Sequence, residues 1–200
     1  MAEKQLSNEE LAALLRQGQV ATFNAYREQF PNQEIDFSGQ DFSGLELVEA
    51  NLEHPIELGN ADFSEANLYK ANFCAANGQN VCFREANCEE ACFNEVEFPD
   101  AVFIEARCAE ARLVNAKFDG ASFKNADCIA AVFTDTSLRV ANFENADLAE
   151  ACLAGTTLEQ ANFKDAYIET ANFAKPQGLS KELSLQIIKN LLEGWEEEND

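Results

Sequence analysis

The chain has 200 residues, of which 46% are apolar and 25% charged, and it contains no run of about 18 uncharged apolar residues. This composition predicts one folded domain with flanking elements, and it argues against disorder and a membrane span. Fourteen basic residues against 36 acidic ones give a net charge of -22. That charge opposes direct nucleic-acid binding, because Lys and Arg make the phosphate contacts. We therefore expect a protein partner with a basic surface.

The start of the chain carries Glu3 and Lys4 and has no apolar segment typical of a secretory signal. The sequence therefore predicts a cytoplasmic protein. In that compartment we expect all seven cysteines to be reduced.

Two short helices are predicted within residues 1–34. Ser7 and Glu10 form a capping box for the first helix, and Gly18 ends it. The second helix is expected from Val20 to Phe30, before Pro31. Their apolar residues would cap the region that follows, whose first turn otherwise exposes core and an unpaired strand edge.

A five-residue period occupies residues 35–174. From Ala61 to Phe173 a small residue recurs at every fifth position, and 19 of these 23 positions are Ala. A larger apolar residue, usually Phe or Leu, follows two positions later, most often with Asn or Asp between. Helices need apolar spacings of three and four and strands need two, so a strict five fits neither. We interpret each pentapeptide as a short straight side plus a turn, with the small and the large residue inward.

The next longer period indicates how many sides make one coil. A step of fifteen mixes Phe63, Gly78 and Cys108, whereas a step of twenty aligns like with like. The twenty-residue columns contain Phe63, Phe83, Phe103, Phe123, Phe143 and Phe163, and also Cys88, Cys108 and Cys128. The sequence therefore predicts an all-β solenoid, a square parallel β-helix of about seven coils. One extra residue is inserted near His54-Pro55.

These residues resemble the pentapeptide-repeat protein family, whose pattern is Ala-Asp/Asn-Leu/Phe followed by two variable residues. The resemblance covers about residues 35–174 and implies a right-handed quadrilateral β-helix. The chain departs from the pattern at Gly78, at the insertion by His54 and at the three inward cysteines. At Gly78 we expect a local rearrangement, because the side chain that would fill the stacked core is missing.

Nothing in the sequence indicates an enzyme. Cysteines at the inward positions are expected to pack as small hydrophobic residues. The cysteines at outward positions are Cys74, Cys82, Cys92 and Cys152. Their spacing is not that of a zinc site. His54 is a lone loop histidine, and no phosphate-binding loop occurs. We therefore expect no catalytic residue, cofactor or metal.

The negative charge is concentrated in the repeats, where residues 35–174 contain 25 acids and eight bases. One of the four sides, whose inward column runs from Leu47 to Ile168, carries nine acids against Lys70 and Arg107. The nine acids are Glu46, Glu49, Glu89, Glu90, Glu110, Asp127, Asp147, Glu150 and Glu169. This acidic side is the candidate interaction surface, and the alternative explanation of the charge is solubility.

The last segment, residues 175–200, is predicted to form a helix over about 181–193, capped by Ser180, and an acidic tail. One apolar stripe of this helix contains Leu183, Ile187, Ile188, Leu191, Leu192 and Trp195. The stripe has two alternative explanations, a cap folded over the last coil and a homodimer contact.

The resemblance also implies possible functions. The quinolone-resistance and mycobacterial fluoroquinolone-resistance groups of the family resemble DNA in charge and shape, bind type II topoisomerases and dimerise through a C-terminal helix. The present chain shares the acidity and the apolar helix but lacks the longer loops, so no functional residue is transferred. We expect a non-enzymatic protein-interaction scaffold; the alternative is a DNA-mimicking binder of DNA gyrase that confers quinolone protection.

Overall fold

The computed structural model describes residues 5–197, with side chains described for residues 5–189. Its elements are α1 (Asn8–Arg16), α2 (Val20–Gln29), β1 (Ile35–Asp36), β2 (Ile56–Glu57) and α3 (Lys181–Glu197). β1 and β2 pair in parallel and begin a ladder that continues as single-residue bridges to Gln177.

The register of the bridges defines the coils. Asp62 pairs with Cys82, and Cys82 pairs with Val102, so one turn of the ladder takes four pentapeptides. Earlier in the chain the step is one residue longer, as in the pair Asp41 and Asp62. The predicted insertion is therefore confirmed. It contains the cis peptide bond between His54 and Pro55.

The pentapeptide ending at Ala66 shows how a side and a corner are built. The Phe63 N–H donates to the carbonyl of Cys82 in the next coil at 2.7 Å. The Ala66 N–H donates back to the Phe63 carbonyl at 3.1 Å and closes a four-residue turn. The third residue of that turn, Glu65, has a φ of 59°, in the left-handed region. Backbone groups are thus satisfied between coils without long strands.

Stacked phenylalanines fill the centre of the solenoid. Phe123 is fully buried, and its ring centroid lies 4.7 Å from that of Phe103 and 4.9 Å from that of Phe143. Both pairs are close to parallel. The twenty-residue column predicted from the sequence is confirmed.

Gly78 does not disturb the coil, so the expected rearrangement there is wrong. Its N–H donates to the carbonyl of Glu97 in the next coil at 3.0 Å. The central residues of neighbouring sides form the same kind of bond, each with its own acceptor in the next coil. A Cβ added at Gly78 would lie 2.8 Å from the carbonyl carbon of Leu58 and 2.8 Å from Cγ2 of Val81. Val81 replaces the usual Ala, and its larger side chain occupies the space that Gly78 leaves.

Both N-terminal helices pack on the first coil. Ser7 and Glu10 form the two hydrogen bonds of the predicted capping box. Leu11 and Phe23 are fully buried, and the ring centroid of Phe23 lies 6.2 Å from that of Phe37. The apolar faces of α1 and α2 therefore continue the core of the solenoid.

Polar side chains of α2 also bind the main chain of the first coil. Asn24 donates to the Glu49 carbonyl and accepts from the Asn51 N–H, both at 2.8 Å. Arg27 is 2% exposed and donates to the Glu53 carbonyl at 3.0 Å. These bonds satisfy backbone groups that have no coil beneath them.

α3 lies on the last coil, and its side-chain contacts are described as far as residue 189. The predicted N-cap residue of α3 is confirmed, because the Ser180 hydroxyl accepts a hydrogen bond from the Leu183 N–H at 3.0 Å. Leu183 is 3% exposed, and Gln186 donates to the Ala166 carbonyl at 2.8 Å. A cleft of about 350 Å³ lies between α3 and the segment around Phe163.

Candidate functional site

The structure places the nine acids of the acidic side along one face of the solenoid. Six of them are exposed, namely Glu46, Glu49, Glu90, Glu110, Glu150 and Glu169. The other three are half-buried, namely Glu89, Asp127 and Asp147. They follow the straight sides and corners of successive coils, so their backbone positions are held by the ladder.

Two half-buried aspartates stand directly above one another. Asp127 and Asp147 are register partners, and each accepts a hydrogen bond from the backbone N–H two residues later, at 3.1 Å from Ile129 and 3.0 Å from Ala149. These turns orient the carboxylates locally. Within residues 5–189 neither carboxylate forms an ion pair, and Arg107, the register partner of Asp127, pairs with Glu89 instead.

Glu90 is the most strongly engaged acid of this side. The Tyr69 hydroxyl donates to its Oε1 at 2.7 Å, and the Lys70 ammonium lies 3.3 Å from its Oε2. The hydrogen bond from Tyr69, helped by Lys70, lowers the pKa of Glu90 below its ordinary value. Glu90 is therefore ionised at neutral pH.

Among residues 5–189, only two of the nine acids form an ion pair: Glu90 with Lys70 and Glu89 with Arg107. The remaining charge is not compensated within that range. The surface therefore presents a negative potential that a basic partner would reduce.

Exposed apolar side chains that were not predicted from the sequence also lie among these acids. Val48 is 37% exposed, Ile129 36% and Tyr167 51%. Each flanks the same inward column as the nine acids. The signal was available in the repeat alignment, since outward positions that hold Val, Ile or Tyr depart from its polar pattern.

The apolar stripe predicted for the last helix divides between two environments. Leu183 is buried and Ile187 packs partly against the core, whereas Ile188 is 53% exposed. Leu185, which the prediction omitted, is 58% exposed. The side chains of Leu191, Leu192 and Trp195 lie outside the described residues.

The cysteines correct one expectation. Cys74 and Cys92 form a disulfide, with Cα atoms 5.9 Å apart, so the prediction of seven reduced thiols is wrong. The two cysteines meet diagonally between neighbouring coils. Cys74 follows the central residue of its side, and Cys92 precedes the central residue of the same side one coil later, so the two outward side chains lie next to each other. The five free cysteines are Cys82, Cys88, Cys108, Cys128 and Cys152.

The inward cysteine column behaves as predicted in packing. Cys88, Cys108 and Cys128 are fully buried. Burial raises the pKa of the Cys88 thiol well above its ordinary value, and its hydrogen bond with Cys108 raises it further. Because all three side chains are fully buried, they pack as small apolar residues and are inaccessible to reagents in the folded coil.

The described residues have neither a metal-binding cluster nor a membrane-spanning helix. Within residues 5–197, no cluster of three or more His, Cys, Asp or Glu side chains is arranged to hold a metal ion. No helix in that range is both long and apolar enough to cross a bilayer. His54 is exposed at the insertion, where its N–H donates to the Cys74 carbonyl at 2.9 Å.

Several solved structures resemble the chain. HetL, a pentapeptide repeat protein involved in heterocyst differentiation regulation in the cyanobacterium Nostoc, is 21% identical over 72% of this chain and 83% of its own, with a TM-score of 0.47. QnrB1, a plasmid-mediated fluoroquinolone resistance protein, is 17% identical over 79% and 83%, with a TM-score of 0.36. A pentapeptide repeat protein of the Arabidopsis thaliana thylakoid lumen is 27% identical over 56% and 73%, with a TM-score of 0.26. No curated protein matches the chain.

A family model for pentapeptide repeats, with eight copies, matches residues 56–87, 82–120, 111–140, 126–165 and 141–174. Together these segments exceed half of the chain. Members of the family fold as right-handed quadrilateral β-helices, in agreement with the ladder of four pentapeptides per turn. The chain therefore belongs to the pentapeptide-repeat family.

Proposed function

We propose that this protein is a non-enzymatic interaction scaffold, a rigid rod of about seven coils with helical caps, which docks a basic protein surface on its acidic side. The observation that carries the proposal is the acidic side itself, where nine acids stand against two bases and six of the acids are exposed. A partner with Lys and Arg at matching spacing would gain both association rate and specificity from it.

The corner positions support a use for this charge. Eight of the 23 non-glycine residues with positive φ are Glu, and four of those eight belong to the acidic side. Gly or Asn would occupy this conformation at lower cost. Glu at such corners is therefore not explained by backbone preference, which favours a role for the carboxylates.

Exposed apolar groups on the same side support docking rather than solubility alone. Val48, Ile129 and Tyr167 add contact area between the charges. Solubility through mutual repulsion gives no reason for them, whereas protein interfaces combine charged groups with aromatic and aliphatic contacts. The proposed compartment is the cytoplasm, and the proposed partner is a protein and not a nucleic acid.

A second candidate is the DNA-mimicking binder of DNA gyrase. Coils about 4.8 Å apart make a rod roughly 34 Å long, and its net repeat charge is spaced at about one per 2 Å. Duplex DNA has about one per 1.7 Å. This similarity in charge spacing favours binding to a partner protein whose groove normally holds DNA.

The acidic side is tested by charge reversal. Glu90, Glu110 and Glu150 lie at equivalent corners, and their combined change to Lys should abolish capture of the partner while the circular dichroism spectrum is unchanged. The matched control is Glu95→Lys with Asp135→Lys, at corners of the least acidic side, which should bind as the unchanged protein does.

Capture should also weaken steeply between low and physiological salt, because exposed charges are screened beyond about 8 Å. Binding that survives the triple reversal, or that ignores salt, would contradict the scaffold. Gyrase supercoiling is assayed in parallel. No inhibition and no protection from a quinolone at tens of micromolar protein would remove the second candidate alone.

We also propose that the exposed face of α3 joins two copies of the chain. Leu185 and Ile188 lie three residues apart on one face of the helix, and both are more than half exposed. Sedimentation should give a dimer, and Leu185→Glu with Ile188→Glu should give a monomer. Val140→Glu is the control, since Val140 is 58% exposed on the solenoid and should leave the dimer intact. A monomeric unchanged protein would leave only the cap.

A further inference from the structure

The disulfide lies on the side that follows the acidic side in each coil, between two coils that are already joined by backbone bonds. The Phe73 N–H donates to the Cys92 carbonyl at 2.8 Å, and the Cys92 N–H donates to the Ala71 carbonyl at 2.9 Å. The Cys74 N–H donates to the side chain of Asn72 at 3.0 Å. Neither cysteine depends on the sulfur bond for its backbone position.

Because the ladder fixes both backbones, breaking the disulfide leaves two thiols beside each other in a folded coil. Their Cα separation of 5.9 Å lies within the range in which a disulfide forms without backbone movement. Cys74 and Cys92 are also both partly exposed. The pair therefore meets two requirements of reversible exchange, access for a small thiol and rapid closure.

The two sulfurs are in different electrostatic surroundings. Arg112 is the register partner of Cys92 one coil further on, and within residues 5–189 it forms no ion pair. Glu90, two residues before Cys92, is engaged by a lysine and a tyrosine. Glu53, on the coil below, accepts from the amide of Asn72. The cation of Arg112 therefore favours the thiolate form of Cys92 over that of Cys74.

We propose that Cys74 and Cys92 form a reversible thiol–disulfide exchange site for glutathione-like thiols and disulfides. This inference is independent of the acidic side. It is compatible with a cytoplasmic location, because disulfides there are usually transient and redox-sensing.

In the reducing direction, a thiolate attacks the sulfur of Cys92. The bond between the two cysteines breaks, its electron pair stays on Cys74, and Cys92 is left in a mixed disulfide. A second thiolate then attacks the outer sulfur of that mixed disulfide and releases Cys92 as the thiolate that Arg112 stabilises, so two thiols become one disulfide. In the oxidising direction, the Cys92 thiolate attacks a glutathione disulfide, and Cys74 displaces the second glutathione.

The remaining cysteines provide internal controls. Cys88, Cys108 and Cys128 are buried, and Cys82 and Cys152 contact hydroxyl groups rather than another thiol. None of these five has another cysteine eighteen residues before or after it, which is the separation between Cys74 and Cys92.

The first test equilibrates the full-length protein with glutathione and glutathione disulfide at varied ratios at pH 7. Native alkylation followed by peptide mass spectrometry should show Cys74 and Cys92 opening and closing together, with an unchanged circular dichroism spectrum. Cys88, Cys108 and Cys128 should stay unlabelled without denaturant. A pair that opens only in denaturant, or whose opening melts the coil, would be a structural cross-link and would overturn the proposal.

The second test assigns the attacking sulfur. In Cys74→Ser the single Cys92 should react with glutathione disulfide at least about threefold faster than Cys74 does in Cys92→Ser, because the rate follows the thiolate fraction. Adding Arg112→Ala should remove that advantage. The matched control is Arg107→Ala, the same residue at the equivalent position of the acidic side, which should change nothing. Equal rates in the two single-cysteine proteins would overturn the role of Cys92.

Discussion

The two ends of the solenoid are closed in different ways. At the N-terminal end, α1 and α2 bury Leu15 and Phe23 completely, and Asn24 binds two backbone groups of the first coil. At the C-terminal end, α3 buries Leu183 and leaves a cleft of about 350 Å³ beside the last coil. Its Leu185 remains 58% exposed.

Among the side chains of residues 5–189, the N-terminal end is therefore covered more completely than the C-terminal end. The first coil has no coil beneath it, so its core and backbone groups must be covered by the same chain. Within residues 5–189, Leu185 and Ile188 of α3 are more than half exposed at the C-terminal end, and it is through these side chains that we propose that two copies join.

The largest expected effect is on the regular coils between the two ends, and it provides the reference for the losses in stability expected at each end. Phe123→Ala removes a ring that is stacked on both faces, and it should lower the free energy of unfolding by about 3 to 5 kcal/mol. Urea unfolding followed by circular dichroism measures the change. The control, Val140→Ala at an exposed corner, should cost about 0.5 kcal/mol or less. If Phe123→Ala lowers the free energy of unfolding as little as Val140→Ala does, the core is loosely packed.

A smaller effect compares the ends directly. Leu15→Ala should lower the free energy of unfolding by about 3 kcal/mol and Leu183→Ala by about 2 kcal/mol, since the cleft beside Leu183 allows water and side chains to fill the gap. The same urea titration measures both. If the two losses are equal, the ends are equally closed and the contrast between them fails.

The smallest effect concerns the corners of the backbone. Gly44 in the first coil has a φ of 62°, and no atom lies within 4 Å of a Cβ added there. Gly44→Ala should therefore cost about 1 kcal/mol through conformation alone. Glu65 has a φ of 59° in a regular coil, and Glu65→Gly should gain about 0.5 kcal/mol. Thermal unfolding of both variants checks the signs, and a stability loss in Glu65→Gly would mean that the Glu side chain outweighs its backbone cost.

Much of the fold could be predicted because burial repeats with the sequence. Every fifth residue and the residue two positions later must point inward, so the column through Phe123 and the inserted residue near His54 follow from spacing alone. The capping box at Ser7 is also a local pattern. Such features depend on neighbours in the chain or on exact multiples of the repeat.

The disulfide could not be predicted from like positions, because Cys74 and Cys92 are eighteen residues apart, two fewer than one coil. That offset becomes visible only when the corner geometry is known. It also places Arg107 beside Glu89 and Ser137 beside Asp119.

Other features depended on three-dimensional packing rather than on the period. The compensation of Gly78 by Val81 needed the actual space between coils. The acidic side could be listed from the sequence, but the bond from Tyr69 to Glu90 and the exposure of Tyr167 could not, because they depend on rotamers and on the neighbouring coil.

The step of twenty residues per coil has a mechanical consequence. When the rod is pulled by its ends, coils should detach one after another, because each is bonded only to its neighbours. One detached coil extends to about 70 Å, whereas a folded coil occupies about 4.8 Å along the axis. Force spectroscopy should therefore record nearly equal steps, with one exception under oxidising conditions. The disulfide between Cys74 and Cys92, whose sequence separation is 18, withholds the segment between them from extension and should shorten the trace by about 60 Å.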